Sequence, residues 1–469
     1  MAQGTSHAAP GRIYIEVSQP NDRGSFLIRS TDWMTQKVIC EQHLAETTSQ
    51  LQYLYTARLL EDPNSLRQNI ASANGNRYAD IVRYGQKLYT DLFGPKKELA
   101  RYIKRSKHLQ NGIHYILQLR HSASELWNIP WEYLHDGDEF VNLNPKNMFV
   151  RSLVDVSPDK ALLDLRELPR PLKILVLIAD PNGAPPLNMD QEVRNILDAV
   201  GPTMQAGLVT VDFIEEGSLT NLETMLAYED YHILHYTGHG GISSRGSFLA
   251  LEGDDGEVQP VFVQDLLPII RRSNSLRLVV LSGCKTGQIE ETQAMSGVAA
   301  GLLQAVPAVV AMQFTVLDSS AQVFGRSFFE RIGRGETLES AVRAGRQAME
   351  KAQPGLADWG VPALYAYKMG IRLIDPAKSA VPTALTAPPV AAGLPDPPIF
   401  VGRRDEQRLM RRILPDLTMR MVYIWGMGGV GKSALAARLI RRPGRKGIID
   451  SVLVIPCDQT KLPDVLTQL

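Results

Sequence analysis

Cysteine is scarce: Cys40, Cys284 and Cys457 are the three in 469 residues. They stand too far apart for a C-x-x-C metal pair or a disulfide framework, which fits a reducing compartment and leaves each as a single thiol. Net charge is absent as well. Lys plus Arg is 50 and Asp plus Glu is 50, so the chain lacks the global basic excess of a nucleic-acid binder. Met1 to Arg12 contains no apolar h-region, and no secretory signal is read there. An uninterrupted hydrophobic span is missing too. Thr292 to Leu317 carries no charge, but Pro307 splits it and Gln293, Gln304 and Gln313 lie inside it. A buried helix feeding a buried strand accounts for that stretch, and a membrane span is rejected. These absences predict a cytoplasmic protein with neither a nucleic-acid nor a membrane partner.

What the chain does have is core-forming material: 44% hydrophobic and 21% charged residues, the composition of a globular protein. Its length allows two to four domains at ~100–200 residues each. Alternating runs at Arg12 to Val17 and Ser25 to Arg29 predict a β-hairpin, followed by helices at Glu41 to Leu60 and Tyr78 to Phe93, where Gly94-Pro95 signals a stop. From Leu99 onward strands alternate with helices, the signature of a mostly parallel α/β sheet. Strands are expected at Ile113 to Leu119, Leu172 to Ala179, Leu208 to Ile214, Tyr231 to Tyr236, Leu276 to Leu281 and Ala308 to Phe314. Helices are expected at Asp190 to Val200, Leu219 to Tyr228, Gln293 to Gln304, Ser320 to Ile332 and Glu336 to Lys351. Several of these strands are almost continuously apolar, as strands covered by helices on both faces must be. Asp375 to Pro398, with seven prolines, reads as a semi-extended linker. The expected domains are therefore 1–95, an α+β N-terminal segment accessory to the larger α/β domain; 96–374, that α/β domain; 375–398, the linker; and 399–469, the start of a second α/β unit.

That last unit is predicted to run from a strand at Met421 to Trp425, through a glycine loop, to a helix from Lys432 to Arg441 and a strand at Ile448 to Ile455. Gly426-Met427-Gly428-Gly429-Val430-Gly431-Lys432-Ser433 fits G-x-x-x-x-G-K-[ST] between strand and helix. Glycines at Gly426, Gly428, Gly429 and Gly431 let backbone N–H groups wrap phosphates. Lys432 reaches the β/γ-phosphates and Ser433 holds magnesium. ATP or ADP with magnesium is the expected ligand. Two strands bury too little for a nucleotide-binding core, so this unit is expected to be incomplete, a truncation of a longer protein or dependent on a partner.

The sharper constellation sits at two strand ends. Tyr231 to Tyr236 leads into Thr237-Gly238-His239-Gly240-Gly241, and Leu276 to Leu281 leads into Ser282-Gly283-Cys284-Lys285. The carboxyl ends of strands in an open α/β sheet form the ligand crevice. A thiol becomes a strong nucleophile near neutrality beside an imidazole base, so the two strands are predicted to be neighbours. The backbone N–H groups of Gly240 and Cys284 are placed to meet the oxygen of a tetrahedral intermediate. His235 lies within its strand and reads as a core or supporting residue rather than the base, and Cys40 and Cys457 as packing residues. Spacing names no third member of a triad.

His239-Gly240 and Ser282-Gly283-Cys284 with their flanking strands resemble the caspase-like CHAT peptidases, relatives of caspases, separase and gingipain. Ile129-Pro130-Trp131-Glu132, Phe149-Val150-Arg151, Val306 to Phe314, Phe328-Phe329 with Gly335, and Trp359 to Leu364 agree, so the resemblance spans roughly Leu99 to Ile371. It implies a caspase-like fold for the α/β domain, His239 as base and Cys284 as nucleophile, and cleavage of protein or peptide substrates without a cofactor for the peptidase chemistry. Phe314 departs from the pattern, standing where many members carry tryptophan. Asp318 falls where related peptidases place an acid for a basic P1 side chain, and equally where a helix N-cap belongs. Pro398 to Arg403 with Glu406 resembles the segment before the phosphate loop of STAND-type ATPases. That implies a bacterial signalling or defence protein with nucleotide-dependent control and self-assembly. The alternative is a catalytically silent caspase-like adaptor.

Overall fold

The computed structural model describes residues 11–20, 26–32, 38–44, 76–93, 112–120, 124–127, 129–153, 168, 170–214, 216–283, 289–313, 316–375, 403, 406, 409 and 423–441. Strands β1 (Gly11–Pro20), β2 (Phe26–Asp32), β3 (Val38–Leu44), β4 (Ile113–Leu119), β5 (Met148–Leu153), β6 (Leu172–Ile178) and β7 (Val209–Ile214) are followed by β8 (Ile233–Gly238). Then come β9 (Gly240–Ser243), β10 (Gly246–Glu252), β11 (Val258–Phe262), β12 (Leu278–Gly283), β13 (Ala308–Met312) and β14 (Pro362–Ala366). The principal helices are α1 (Asn76–Phe93), α2 (Met189–Gln205), α3 (Leu219–Tyr228), α4 (Val263–Arg272), α5 (Ile289–Leu302), α6 (Asp318–Gly333), α7 (Leu338–Ala352) and α8 (Lys432–Arg441).

Eleven strands form one sheet in the order β3-β2-β1-β4-β5-β14-β13-β12-β8-β6-β7. Seven of its ten adjacent pairs are parallel; β1 with β2, β2 with β3 and β13 with β14 are antiparallel. The sheet is thus a mixed α/β architecture whose two parallel blocks meet at the β13/β14 seam. The N-terminal hairpin extends this sheet through the parallel β1–β4 ladder. Apolar content explains the centre: every residue of β8 and β13 is buried, which requires cover on both faces. Alternation along β12 shows that cover. Ser282 borders a cavity against α2 and α6, while a Cβ on its neighbour Gly283 would approach Met295 of α5. A separate three-stranded sheet, β11-β10-β9, follows β8 directly.

Most sequence-predicted elements are present, with ends displaced by one to a few residues, the usual fraying range. The charge-free stretch resolves into α5 and β13, and among the described residues no helix is long and apolar enough to cross a membrane. Three expectations need correction. The helix expected from Glu41 begins instead inside β3, where Glu41 stands opposite Arg29; Val38 and Ile39 favour an added strand on the hairpin. Tyr423 to Trp425, expected in a strand, carry no ladder. A strand exists only against a hydrogen-bonding neighbour, and its predicted neighbour, Ile448 to Ile455, lies outside the described residues. Asp318 is the first residue of α6, with Leu317 in the N-cap position; its carboxylate there complements the helix dipole. Cys284, Phe314, Cys457 and the linker from 376 onward lie outside the described residues.

Candidate active site

β8 and β12 are parallel neighbours, and their last rungs pair Ser282 with Thr237 and Gly283 with Gly238. The next residues in the two chains are His239 and Cys284. His239 is 3% exposed, and its Nε2 lies 2.8 Å from the carbonyl oxygen of Pro185. A carbonyl only accepts, so Nε2 carries the proton and the imidazole lone pair sits on Nδ1. The loop holding Pro185 is itself tied down. The Asp180 N–H donates to Glu252 Oε1 at 3.1 Å, and the Leu187 N–H to Asp180 Oδ1 at 3.0 Å. Tyr236 donates its hydroxyl to the His239 carbonyl at 2.7 Å, and it packs so closely that a Cβ on Gly238 would come within 2.4 Å of that hydroxyl. Gly238 is therefore a close-approach glycine.

Gly240 opens β9 opposite Leu249. The Ala250 N–H donates to the His239 carbonyl at 2.9 Å, which makes Gly240–Leu249 a non-hydrogen-bonded rung. The Gly240 N–H is consequently not spent on this ladder, as an oxyanion donor requires.

A cavity of about 90 Å³ lies beside these strand ends, between the sheet and α2 and α6. Thr237 and Ser282 border it near the strand ends, with His235 and Val280 two rungs deeper on the same face. Phe324 and Phe328 supply apolar wall, and Glu192 and Asp318 stand on it from the first turns of α2 and α6. His235 Nε2 is 3.2 Å from Ser282 Oγ, while among the described residues its enclosed Nδ1 has no hydrogen-bond partner. Burial pushes the His235 imidazole down to about 4, so it is neutral near pH 7. The sequence reads His235 as a core or supporting residue, and its burial agrees. Its place beside the cavity follows from its phase: two residues before Thr237 on a strand, it shares that residue's face.

The segments around Trp131 and Arg151 meet behind the site. Arg151, fully buried, pairs with Glu132 and donates to the carbonyls of Trp127 at 2.6 Å and Ile129 at 2.9 Å. It also donates to Gln313 Oε1 at 2.9 Å, at the end of β13. A second buried guanidinium, Arg346, lies 3.7 Å from Glu132; burial, with Arg151 beside it, pushes it down to about 10.

The glycine loop is separate. Gly426, Gly429 and Gly431 adopt φ of 150°, 80° and 83°, the left-handed side that glycine enters without strain. A Cβ on Gly428, Gly429 or Gly431 would meet nothing within 4 Å, so the loop is open where an anion would lie. Lys432 begins α8 and donates Nζ to the carbonyls of Gly426 at 3.0 Å and Met427 at 2.8 Å. Arg403 bonds the Val430 carbonyl at 2.6 Å and pairs with Glu406 at 2.7 Å. That hydrogen bond holds the Glu406 carboxyl below its usual range.

Comparison with known proteins gives a family. None of the curated proteins compared matches the chain. Separase in the Saccharomyces cerevisiae separase-securin complex aligns at 12% identity and a TM-score of 0.41, over 76% of this chain and 30% of that chain. The Arg specific cysteine proteinase gingipain R aligns at 11% identity and a TM-score of 0.36, over 62% of this chain and 74% of that one. The complex of Porphyromonas gingivalis RgpB pro- and mature domains gives 12% identity and a TM-score of 0.34, over 61% and 74%. A family model described as the CHAT domain matches residues 82–370, more than half of the sequence, and the chain belongs to that family.

Proposed function

We propose that the chain is a caspase-like cysteine endopeptidase with Cys284 as nucleophile and His239 as general base, governed by a nucleotide at the glycine loop. Membership of the CHAT domain family supports a peptidase-type function. The observation that carries the finer reading is the parallel β8–β12 ladder, which ends one residue short of both His239 and Cys284. The Pro185 carbonyl supports it by leaving the His239 lone pair on Nδ1, ready to take the thiol proton. The thiolate then attacks the scissile carbonyl, and the N–H groups of Gly240 and Cys284 stabilise the oxyanion. His239 returns its proton to the leaving amine, and water hydrolyses the thioester with His239 again as base. Asp318, on the cavity wall, is the acid we assign to a basic side chain on the acyl side of the cut.

The open loop from Gly426 to Ser433 fits a nucleotide phosphate chain. Backbone N–H groups and Lys432 would hold ATP or ADP, and Ser433 its magnesium. Bound nucleotide would supply the charge that reorganises the loop, and in a STAND-type signalling or defence protein that change would drive self-assembly and release the peptidase.

The test is to incubate the protein and its Cys284→Ala variant with a proteome-derived peptide library and read cut sites by mass spectrometry. Cuts that require Cys284 are expected, and no difference between the two proteins would sink the peptidase. For the nucleotide arm, ATP with magnesium should protect the peptide bond after Lys432 from trypsin. Equal cutting with and without nucleotide would remove nucleotide control.

A further inference from the structure

The wall that α6 gives to the cavity is held in place from outside its own sequence. Val316, Asp318, Ala321 and Gln322 line the cavity from the start of this helix. Leu317 occupies the N-cap position and makes no side-chain cap bond, since a leucine has no oxygen to offer the first turn. The ties come instead from Gln353 to Val361, the segment that leads from α7 into β14. Asp358 Oδ2 accepts from the Leu317 N–H at 3.3 Å. Gln353 engages the next turn with both ends of its amide: Nε2 donates to Ser319 Oγ at 2.8 Å, and Oε1 accepts from the Ser320 hydroxyl at 3.0 Å. On the β13 side, the Gln313 N–H donates to the Val361 carbonyl at 3.1 Å. The chain is thus fastened on both sides of its passage from β13 into α6.

The fastening segment is itself fixed. The Gln353 N–H closes α7 on the Met349 carbonyl at 2.9 Å, the Gly355 N–H donates to Glu350 Oε1 at 3.3 Å, and the Ala357 carbonyl accepts from the Tyr133 hydroxyl at 2.7 Å. Ala357 is buried with φ of 65°, a left-handed backbone that a residue with a Cβ keeps only where its surroundings impose it. Asp358 follows directly. Neither Gln353 nor Asp358 lines the cavity, so both act on it only through α6.

We propose that Gln353 and Asp358 are positioning residues for substrate recognition: they set the place of the α6 wall against the strand ends, and so the fit of the substrate side chain that enters the cavity from the acyl side of the cut. The assignment rests on the peptidase reading above. A long side chain that fills the cavity depends on this wall, whereas an alanine in the same position does not reach it.

The experiment measures kcat and KM separately for the full chain on two fluorogenic peptides, one with arginine and one with alanine before the reporter. Gln353→Met keeps the length of the side chain and removes both hydrogen bonds. It should raise KM for the arginine peptide about three- to tenfold, the scale of one or two hydrogen bonds, with kcat within about twofold, the pattern of lost binding rather than lost chemistry. The alanine peptide should be unaffected. Asp358→Ala should behave in the same way, and Asp358→Asn, which retains an oxygen for the Leu317 N–H, should stay near the parent. Thermal melts show which variants are folded; if Asp358→Ala is not, Gln353→Met decides. Equal losses on both peptides overturn the proposal, as does a parent that cuts the alanine peptide as well as the arginine one. So does an unchanged KM in the variants, which would mean that the bond from Gln322 Nε2 to Asn195 Oδ1 at 2.8 Å holds the wall alone. If the parent cuts neither peptide, the peptidase reading has failed, and calorimetry with a peptide ending in argininamide decides the wall. Binding weakened three- to tenfold by Gln353→Met sustains the assignment, and equal affinities or no binding overturn it.

Discussion

A histidine is a base at one nitrogen at a time, and at His239 a backbone carbonyl makes the choice. Pro185 O accepts from Nε2 at 2.8 Å, which does for this imidazole what a carboxylate does in a serine triad. A carbonyl has no residue type, so no spacing in the sequence could point to it; His239 itself, flanked by glycines at a strand end, was legible. Replacing His239 by Gln keeps a side-chain amide able to bond the Pro185 carbonyl but removes the proposed base. Cleavage should fall by about 10²–10⁴-fold while the melting temperature stays within a degree or two of the parent. A variant that melts far lower would mean the residue is chiefly structural. One that cuts at the parent rate would remove His239 from the chemistry.

Between elements, the buried charges do the positioning. Glu132, in the turn of 3₁₀ helix at Trp131–Tyr133, is the one carboxylate shared by Arg151 of β5 and Arg346 of α7, and all three side chains are at most 2% exposed. Arg151 then bonds Gln313 at the end of β13, so this cluster joins the β5–β14 block to the β13–β12–β8 block that carries the site. Glu132→Gln leaves two buried guanidiniums without a countercharge. Breaking such a pair costs about 3–5 kcal/mol, and urea unfolding should show a midpoint lowered accordingly. An unmoved midpoint would show that Gln313 and the surrounding carbonyls suffice. The sequence made Ile129 to Glu132 and Phe149 to Arg151 visible as separate motifs, but the contact between them is a tertiary fact. The same limit explains the other misses. The β8–β12 strands were legible because unbroken apolar runs end in glycine. β14 and β9 to β11 were not: β14 starts on Pro362, β9 opens on two glycines and β11 is interrupted by Pro260, and strands this short carry little periodicity. The end of the helix expected at Glu41 depended on β2 being beside it.

Across the whole molecule, acid is where the fold is exposed. With 50 basic and 50 acidic residues, no large self-repulsion builds near neutrality, so specific buried groups set the pH dependence. Two are histidines. Burial lowers both His232 and His235 to about 4, with Lys173 and Arg277 adding to the effect at His232. Each sits in the block that carries the site: Nδ1 of His232 accepts from the Lys173 N–H at 3.1 Å, and His235 borders the cavity. In the unfolded chain both titrate near the ordinary value of about 6.5. Above about pH 6.5 neither state binds the proton and the full stability is present. As pH falls from there toward 4, the unfolded chain takes up protons that the folded one refuses, and stability is lost. A gap of that width amounts to about 3 kcal/mol per site, so the pair together removes a large share of the ~5–15 kcal/mol that holds a typical domain. Melting temperature should therefore be flat from pH 8 to 7 and fall steeply between 6.5 and 4.5. Carboxylates that titrate lower cannot mimic this onset. The double variant His232→Asn, His235→Asn should melt lower at pH 8 but show a much shallower fall over the same window. If its slope matches that of the parent, the acid sensitivity belongs to other groups and the neutral buried histidines are not what the fold depends on.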